Sequence, residues 1–160
     1  MPGITALLHT HHDALRLGRA LEILYPCDEI LIVDHDSRDA TVQVAHEYGA
    51  RVIGMQANGS LDQYVEFVRQ PWILCLDPRE SVSEGLIATL FEWKSQISLQ
   101  GSAPAFSVRI REETAQGWMT HPLPHTRLVP RNWTRWEGAF PAREPSALTL
   151  EGDILRFVFP

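Results

Sequence analysis

In the first half of the chain, short apolar runs alternate with segments whose apolar positions recur at helical spacing. Residues 4–8, 30–33, 51–55 and 72–76 are predicted as strands. The last, held between Pro71 and Pro78, has the continuous apolar character of a strand buried on both faces. Between the strands, Leu17, Leu21 and Leu24 mark a helix with Asp13 as N-cap and Pro26 as its end. Residues 41–48 form an amphipathic helix closed by Gly49, Asn58-Gly59-Ser60 a turn, and 61–69 a further helix. This alternation predicts a parallel sheet with crossover helices.

A longer helix is expected over 86–99, capped by Ser83, with Leu86, Leu90, Trp93 and Ile97 on its buried face. From Pro104 the pattern changes. Residues 106–110 alternate as a half-buried strand, and prolines at 122, 124, 130, 141 and 145 break the remaining chain into short pieces. Residues 148–150 and 154–157 predict a closing hairpin across Glu151-Gly152-Asp153. The expected fold class is α/β, in one domain over 1–160, with an irregular mixed C-terminal region.

Candidate chemistry gathers at strand ends. The second and fourth strands run into Asp34-His35-Asp36 and Asp77-Pro78-Arg79-Glu80. Ligands of open α/β sheets bind outside the carboxyl ends of the strands, so two carboxylates on one edge mark a cleft. A net charge of -6 argues against nucleic acid as the main partner. The later arginines, Arg109, Arg111, Arg127, Arg131, Arg135 and Arg143, either face an anionic ligand or are solvated. His9, His11 and His12 invite a zinc reading but lack a fourth ligand at a recognisable spacing, so a hydrogen-bonding loop is expected. Two cysteines, no signal-like segment and no bilayer-length apolar run predict a cytoplasmic protein, with peripheral membrane contact left open.

Residues 30–41, Ile-Leu-Ile-Val-Asp-His-Asp-Ser-Arg-Asp-Ala-Thr, resemble the Val-Val-Asp-x-x-Ser-x-Asp-x-Thr segment of family 2 glycosyltransferases. Ala45-His46-Glu47-Tyr48-Gly49-Ala50 is similar to the Ala-x-x-Tyr-Gly-Ala that succeeds it, and residues 72–80 resemble Trp-Ile-Leu-x-Leu-Asp-Ala-Asp-Glu. Gly117-Trp118 and Thr126-Arg127-Leu128 resemble acceptor-side motifs of bacterial members that build lipopolysaccharide core sugars.

The resemblance implies a GT-A, Rossmann-like three-layer fold, with residues 1–100 binding a nucleotide-sugar donor and 101–160 facing a cell-envelope glycan or lipid-linked acceptor. Thr10 and Asp34, with His12 and Asp36, would bound the nucleotide, and Trp118 and Arg127 the acceptor. Asp77 would be the first acid of an Asp-x-Asp metal motif. The departures fall at functional positions. Thr10-His11-His12-Asp13 stands where the family has Thr-x-Asn-Glu, and Gln63-Tyr64 near its Arg-Asn pair. Arg79 stands where the second acid of Asp-x-Asp is expected, and Arg143-Glu144 where the family has His-Glu. A guanidinium beside the site disfavours Mg2+ or Mn2+, which want oxygen ligands. Arg79 and Arg143 would then bind the diphosphate directly, with Glu144 as general base. The alternative is a catalytically inactive relative that binds a nucleotide or a protein.

Overall fold

The computed structural model describes residues 2–55 and 61–159, so the turn expected at Asn58-Gly59-Ser60 lies outside it. The first half runs β1 (Ile4–Thr10), α1 (Ala14–Leu21), β2 (Glu29–Asp34), α2 (Thr41–Glu47), β3 (Arg51–Gly54), a 3-10 helix (Leu61–Phe67) and β4 (Trp72–Leu76). The second half comprises β5 (Glu80–Val82), α3 (Glu84–Ser95), α4 (Ile97–Gln100), β6 (Phe106–Thr114), β7 (Gly117–Thr120) and β8 (His125–Pro130). The short β9 (Trp136–Glu137) and β10 (Phe140–Pro141) pair with each other, and β11 (Leu148–Arg156) ends the sequence of elements.

The main sheet has the order β3-β2-β1-β4-β8-β6-β11-β5, with β7 beside β6. Strands β1 to β4 are mutually parallel, as the alternation predicts, and β8 joins them antiparallel to β4. Because β5 comes one short turn after β4 yet pairs with β11 at the far end of the path, the sheet curls back on itself. Side chains alternate between its faces. Ile4, Ala6, Leu8, Leu74 and Leu76 pack with Leu17, Leu21, Leu90 and Trp93, so α1 and α3 cover one face. Leu7, Leu31, Val33, Ile73 and Cys75 pack on the other with Tyr64, Val68 and Val129.

Several expectations are corrected. The helix of 61–69 is a 3-10 helix ending at Phe67. The long helix breaks at Gln96, which leaves Ile97 81% exposed instead of in the core. Ser83 does cap α3, accepting a hydrogen bond from Leu86 N, whereas Asp13 turns its carboxylate back to His11 N and caps nothing. The closing hairpin is one continuous strand, β11. Gly152, at φ +101, makes an irregularity in the pairing with β6, and a Cβ there would meet Leu86 N at 2.3 Å. The glycine serves close approach of α3 to the strand, not a turn.

Candidate functional site

The carboxyl ends of β1, β2 and β4 meet at one edge, where a cavity of about 370 Å3 is lined by His9, Thr10, His35, Asp77 and Arg79, among others. The turn that presents Asp77 is closed from both sides. Glu80 N donates to Asp77 O and Asp77 N donates to Glu80 Oε1, each at 2.8 Å, with Pro78 fixing the turn between them. Arg79 then folds onto Asp77. Its backbone N and its Nε both donate to Oδ1 at 2.9 Å, and Nη2 donates to Oδ2 at 3.3 Å. Burial raises the Asp77 carboxyl, but the hydrogen bonds and charge of Arg79 outweigh it and hold it below the ordinary range.

The loops after β1 and β2 are stitched together beside this cleft. Thr10 Oγ1 and Ser37 Oγ donate to Asp34 Oδ1 at 2.8 and 2.6 Å, and Ser37 N donates to Oδ2 at 3.0 Å. Burial pushes the Asp34 carboxyl up, while these bonds bring it below its ordinary value. His12 N donates to Ser37 Oγ, and Arg38 N donates to His12 Nδ1. His12 and Asp36 both have φ of 54, left-handed backbone for residues with side chains. Such strain persists only where surrounding bonds hold it, and it clusters at functional sites. His9 Nδ1 lies 2.9 Å from His35 Nε2. Burial, then the neighbouring His35, push His9 down to about 4.

A second cavity of about 420 Å3 opens where β8 starts, opposite β9 and β10. Arg127, Arg143, Arg156, His125 and Glu137 line it. Arg127 is not available as a free acceptor contact. Buried to 2% exposure, it donates from Nη1 and Nη2 to Glu80 Oε1 and Oε2, and again from Nη1 to Cys75 O. Its commitment follows from Glu80, whose carboxylate faces inward and cannot stay charged there without partners. Arg156 shares the same carboxylate, its Nε and Nη2 donating to Oε2 at 3.1 and 2.8 Å.

Of the residues expected around the donor, the structure brings Thr10, Asp77 and Arg79 into the cleft lining, with Asp34 behind Thr10 and His12 and Asp36 on the adjoining loops. Arg143 lines the other cavity, away from Arg79. Trp118 lines neither; it sits on β7 edge-on to Phe157. Glu144 accepts from Arg135 Nη2 and Ser146 N, and the Arg135 hydrogen bond first of all lowers its carboxyl. Sequence reasoning missed the His9–His35 pair, the inward role of Glu80, and Glu137. Glu80 carried a signal as the final acid of the matched motif, and His9 as part of the histidine-rich loop, though not its partner His35.

The donor set does not fit a divalent cation. The acids lining the cleft are Asp13 and Asp77, the first bonded to His11 N and the second bracketed by Arg79, and Glu80 lies beneath two arginines. Among the described residues no three His, Cys, Asp or Glu side chains are grouped to hold a metal.

The family model for Glycosyl transferase family 2 matches residues 5–148. This chain belongs to glycosyl transferase family 2. An uncharacterized glycosyltransferase of Rickettsia felis is 34% identical to the family 2 chain over 90 residues, covering 54% of this chain and 32% of that protein. The chain thus spans about a third of the length of that relative. S. aureus TarS 1-349, in a structure with UDP-GlcNAc, superposes with a TM-score of 0.58 at 14% identity, over 72% of this chain and 36% of that one. Glucosyl-3-phosphoglycerate synthase from Mycobacterium tuberculosis, in complex with Mn2+, UDP and glucosyl-3-phosphoglycerate, gives 0.52 at 15% identity, over 72% and 46%. At such identities the likeness establishes the fold, which is the GT-A α/β fold expected from the motifs.

Proposed function

We propose that this family 2 chain transfers a sugar from a UDP-sugar to a hydroxyl acceptor without a divalent metal, Arg79 standing in for the cation on the diphosphate. The observation that carries this reading is the Asp77–Arg79 pair at the carboxyl edge of β4. Asp77 uses Nε and Nη2 of Arg79, leaving Nη1 to face a ligand on a side chain still 47% exposed. Thr10 and Asp34, with His12 and Asp36 on the rim, frame the nucleotide. UDP is the donor of choice because two GT-A neighbours have structures with UDP or UDP-GlcNAc.

In the reaction, the acceptor oxygen bonds to the anomeric carbon as the carbon–oxygen bond to the diphosphate breaks. The electron pair leaves on the diphosphate, and a fixed cation beside that oxygen lowers the barrier. The acceptor proton passes to a carboxylate. Glu137 suits that role better than Glu144: it lines the second cavity, exposed and without a side-chain partner among the described residues, whereas Glu144 is held by Arg135.

The acceptor expected from the motifs is a cell-envelope glycan or a lipid-linked sugar. Trp118, Met119, Val158 and Phe159, exposed on and beside β7, support peripheral contact with a lipid surface. No helix among the described residues is long and apolar enough to cross a membrane. Two free cysteines agree with a reaction in the cytoplasm. Thermal unfolding in EDTA with UDP-glucose, UDP-GlcNAc and the GDP, CMP and TDP sugars tests the reading. A saturable rise with a UDP-sugar supports it. No rise with any donor, with or without Mn2+, favours the inactive relative.

A further inference from the structure

The second cavity has an uneven charge. On its floor, the guanidinium groups of Arg127 and Arg156 share the single carboxylate of Glu80, and Arg156 also reaches Glu112 at 3.4 Å. At its mouth Arg143 is exposed, with no hydrogen-bond or ion-pair partner among the described residues. Glu137 lines the same space and is not ion-paired to Arg143. Leu123, Pro124 and Phe140 supply apolar walls. His125, on the edge, is pushed down to about 4 by burial first and then by Arg127, His121 and Arg156, with Glu80 acting the other way. Burial alone therefore keeps this imidazole neutral, with the neighbouring arginines adding to the effect.

We propose that this cavity seats an acceptor bearing a phosphate or carboxylate group, gripped by Arg143 at the mouth with Arg156 behind it. A guanidinium fork matches either oxyanion in two parallel hydrogen bonds. An unpaired arginine at the mouth of a walled cavity, with a second guanidinium behind it, is arranged for such a group, and Glu137 is left for a hydroxyl of the same molecule. That the ligand is an acceptor rests on the transferase reading; that it is an anion does not.

The test is a titration of the protein with inorganic phosphate, glucose 6-phosphate, glucuronate and glucose, monitored by NMR of the arginine Nε–H and histidine signals. Saturable binding of phosphate with glucose 6-phosphate, or of glucuronate, with shifts at His125 and Arg156, is the expected result, and which of them binds identifies the anion. Arg143→Ala, at an exposed site without partners, should keep its fold and lose at least ten-fold in affinity. In Arg79→Ala, which removes any anion binding in the donor cleft, the shifts at His125 and Arg156 should persist. Shifts at His9 and His35 with none at His125 and Arg156, equal binding of glucose, or no saturable anion binding would overturn the proposal. Displacement of phosphate by UDP would also overturn it, because these arginines would then belong to the donor's diphosphate. The anion titration reads without any nucleotide, so its failure is distinct from a failure of donor binding.

Discussion

Glu80 and Arg127 meet through both pairs of atoms, at 2.7 and 3.0 Å, with the two residues 0% and 2% exposed. Through Oε1 the same carboxylate holds the backbone N of Asp77, and through Oε2 it holds Arg156. One buried acid thus ties the turn of the donor cleft to the floor of the second cavity.

Removing that acid strands the buried Arg127 and leaves the half-buried Arg156 with Glu112 alone. Glu80→Gln is expected to cost about 3–5 kcal/mol in urea unfolding, the usual scale for breaking a buried pair. Arg127→Met should cost less, because Glu80 keeps Arg156. Burial raises the Glu80 carboxyl, but Arg127, Asp77 N and Arg156 bring it below the ordinary glutamate range. Its contribution is therefore complete at neutral pH and is lost only as pH falls through that depressed value. An unchanged acid-unfolding profile in Glu80→Gln would contradict this.

His9 gives a second pH dependence, in a higher window. It is neutral in the folded protein down to about 4, whereas the unfolded chain takes up a proton near 6.5. The unfolded state binds more protons between these values, so stability is full above 6.5 and declines as pH falls towards 4. His9→Gln should flatten the slope of unfolding free energy in this window. A slope identical to that of the parent would show that His9 is not held neutral.

Gly152→Ala tests whether β11 is one strand packed against α3. A Cβ there meets Leu86 N at 2.3 Å and Leu86 Cα at 2.6 Å, on backbone at φ +101. The loss should be about 1–3 kcal/mol by overpacking, with left-handed strain added. A hairpin turn at this position would show only the left-handed strain, about 1 kcal/mol, without the overpacking against Leu86.

Legibility in the sequence tracked the range of the interactions. Strands β1, β2 and β4 were legible because a short run of consecutive apolar residues declares a buried strand locally, and Asp77 and Arg79 because they are two residues apart. Strand β5 is three residues long and owes its existence to β11, so nothing near Glu80 announced it. Glu80 finds Arg127 across 47 residues and Arg156 across 76, and His9 finds His35 across 26. Such partners are fixed by sheet order, which the pattern of one segment does not encode. Glu151-Gly152-Asp153 misled for a different reason: a positive-φ glycine serves a bulge as well as a turn.

The two acids of the second cavity region should separate kinetically. Glu137→Gln is expected to lower kcat roughly 100-fold or more, the scale of a lost general base, with little change in melting temperature. Glu144→Gln, which loses its ion pair with Arg135, should instead leave kcat within a few-fold. The reverse pattern would restore Glu144 as the base.

Whether Arg79 replaces a metal is decided by calorimetric titration of a UDP-sugar into the parent, Arg79→Ala and Arg79→Asp, each in EDTA and in Mn2+. The parent is expected to bind equally well in both, and Arg79→Ala to lose ten-fold or more, the worth of a charge-assisted hydrogen bond. Arg79→Asp, which sets a second carboxylate beside Asp77, should bind only with Mn2+. Binding by the parent that requires Mn2+, or an Arg79→Ala protein that binds as tightly as the parent, would contradict the metal-free role of Arg79.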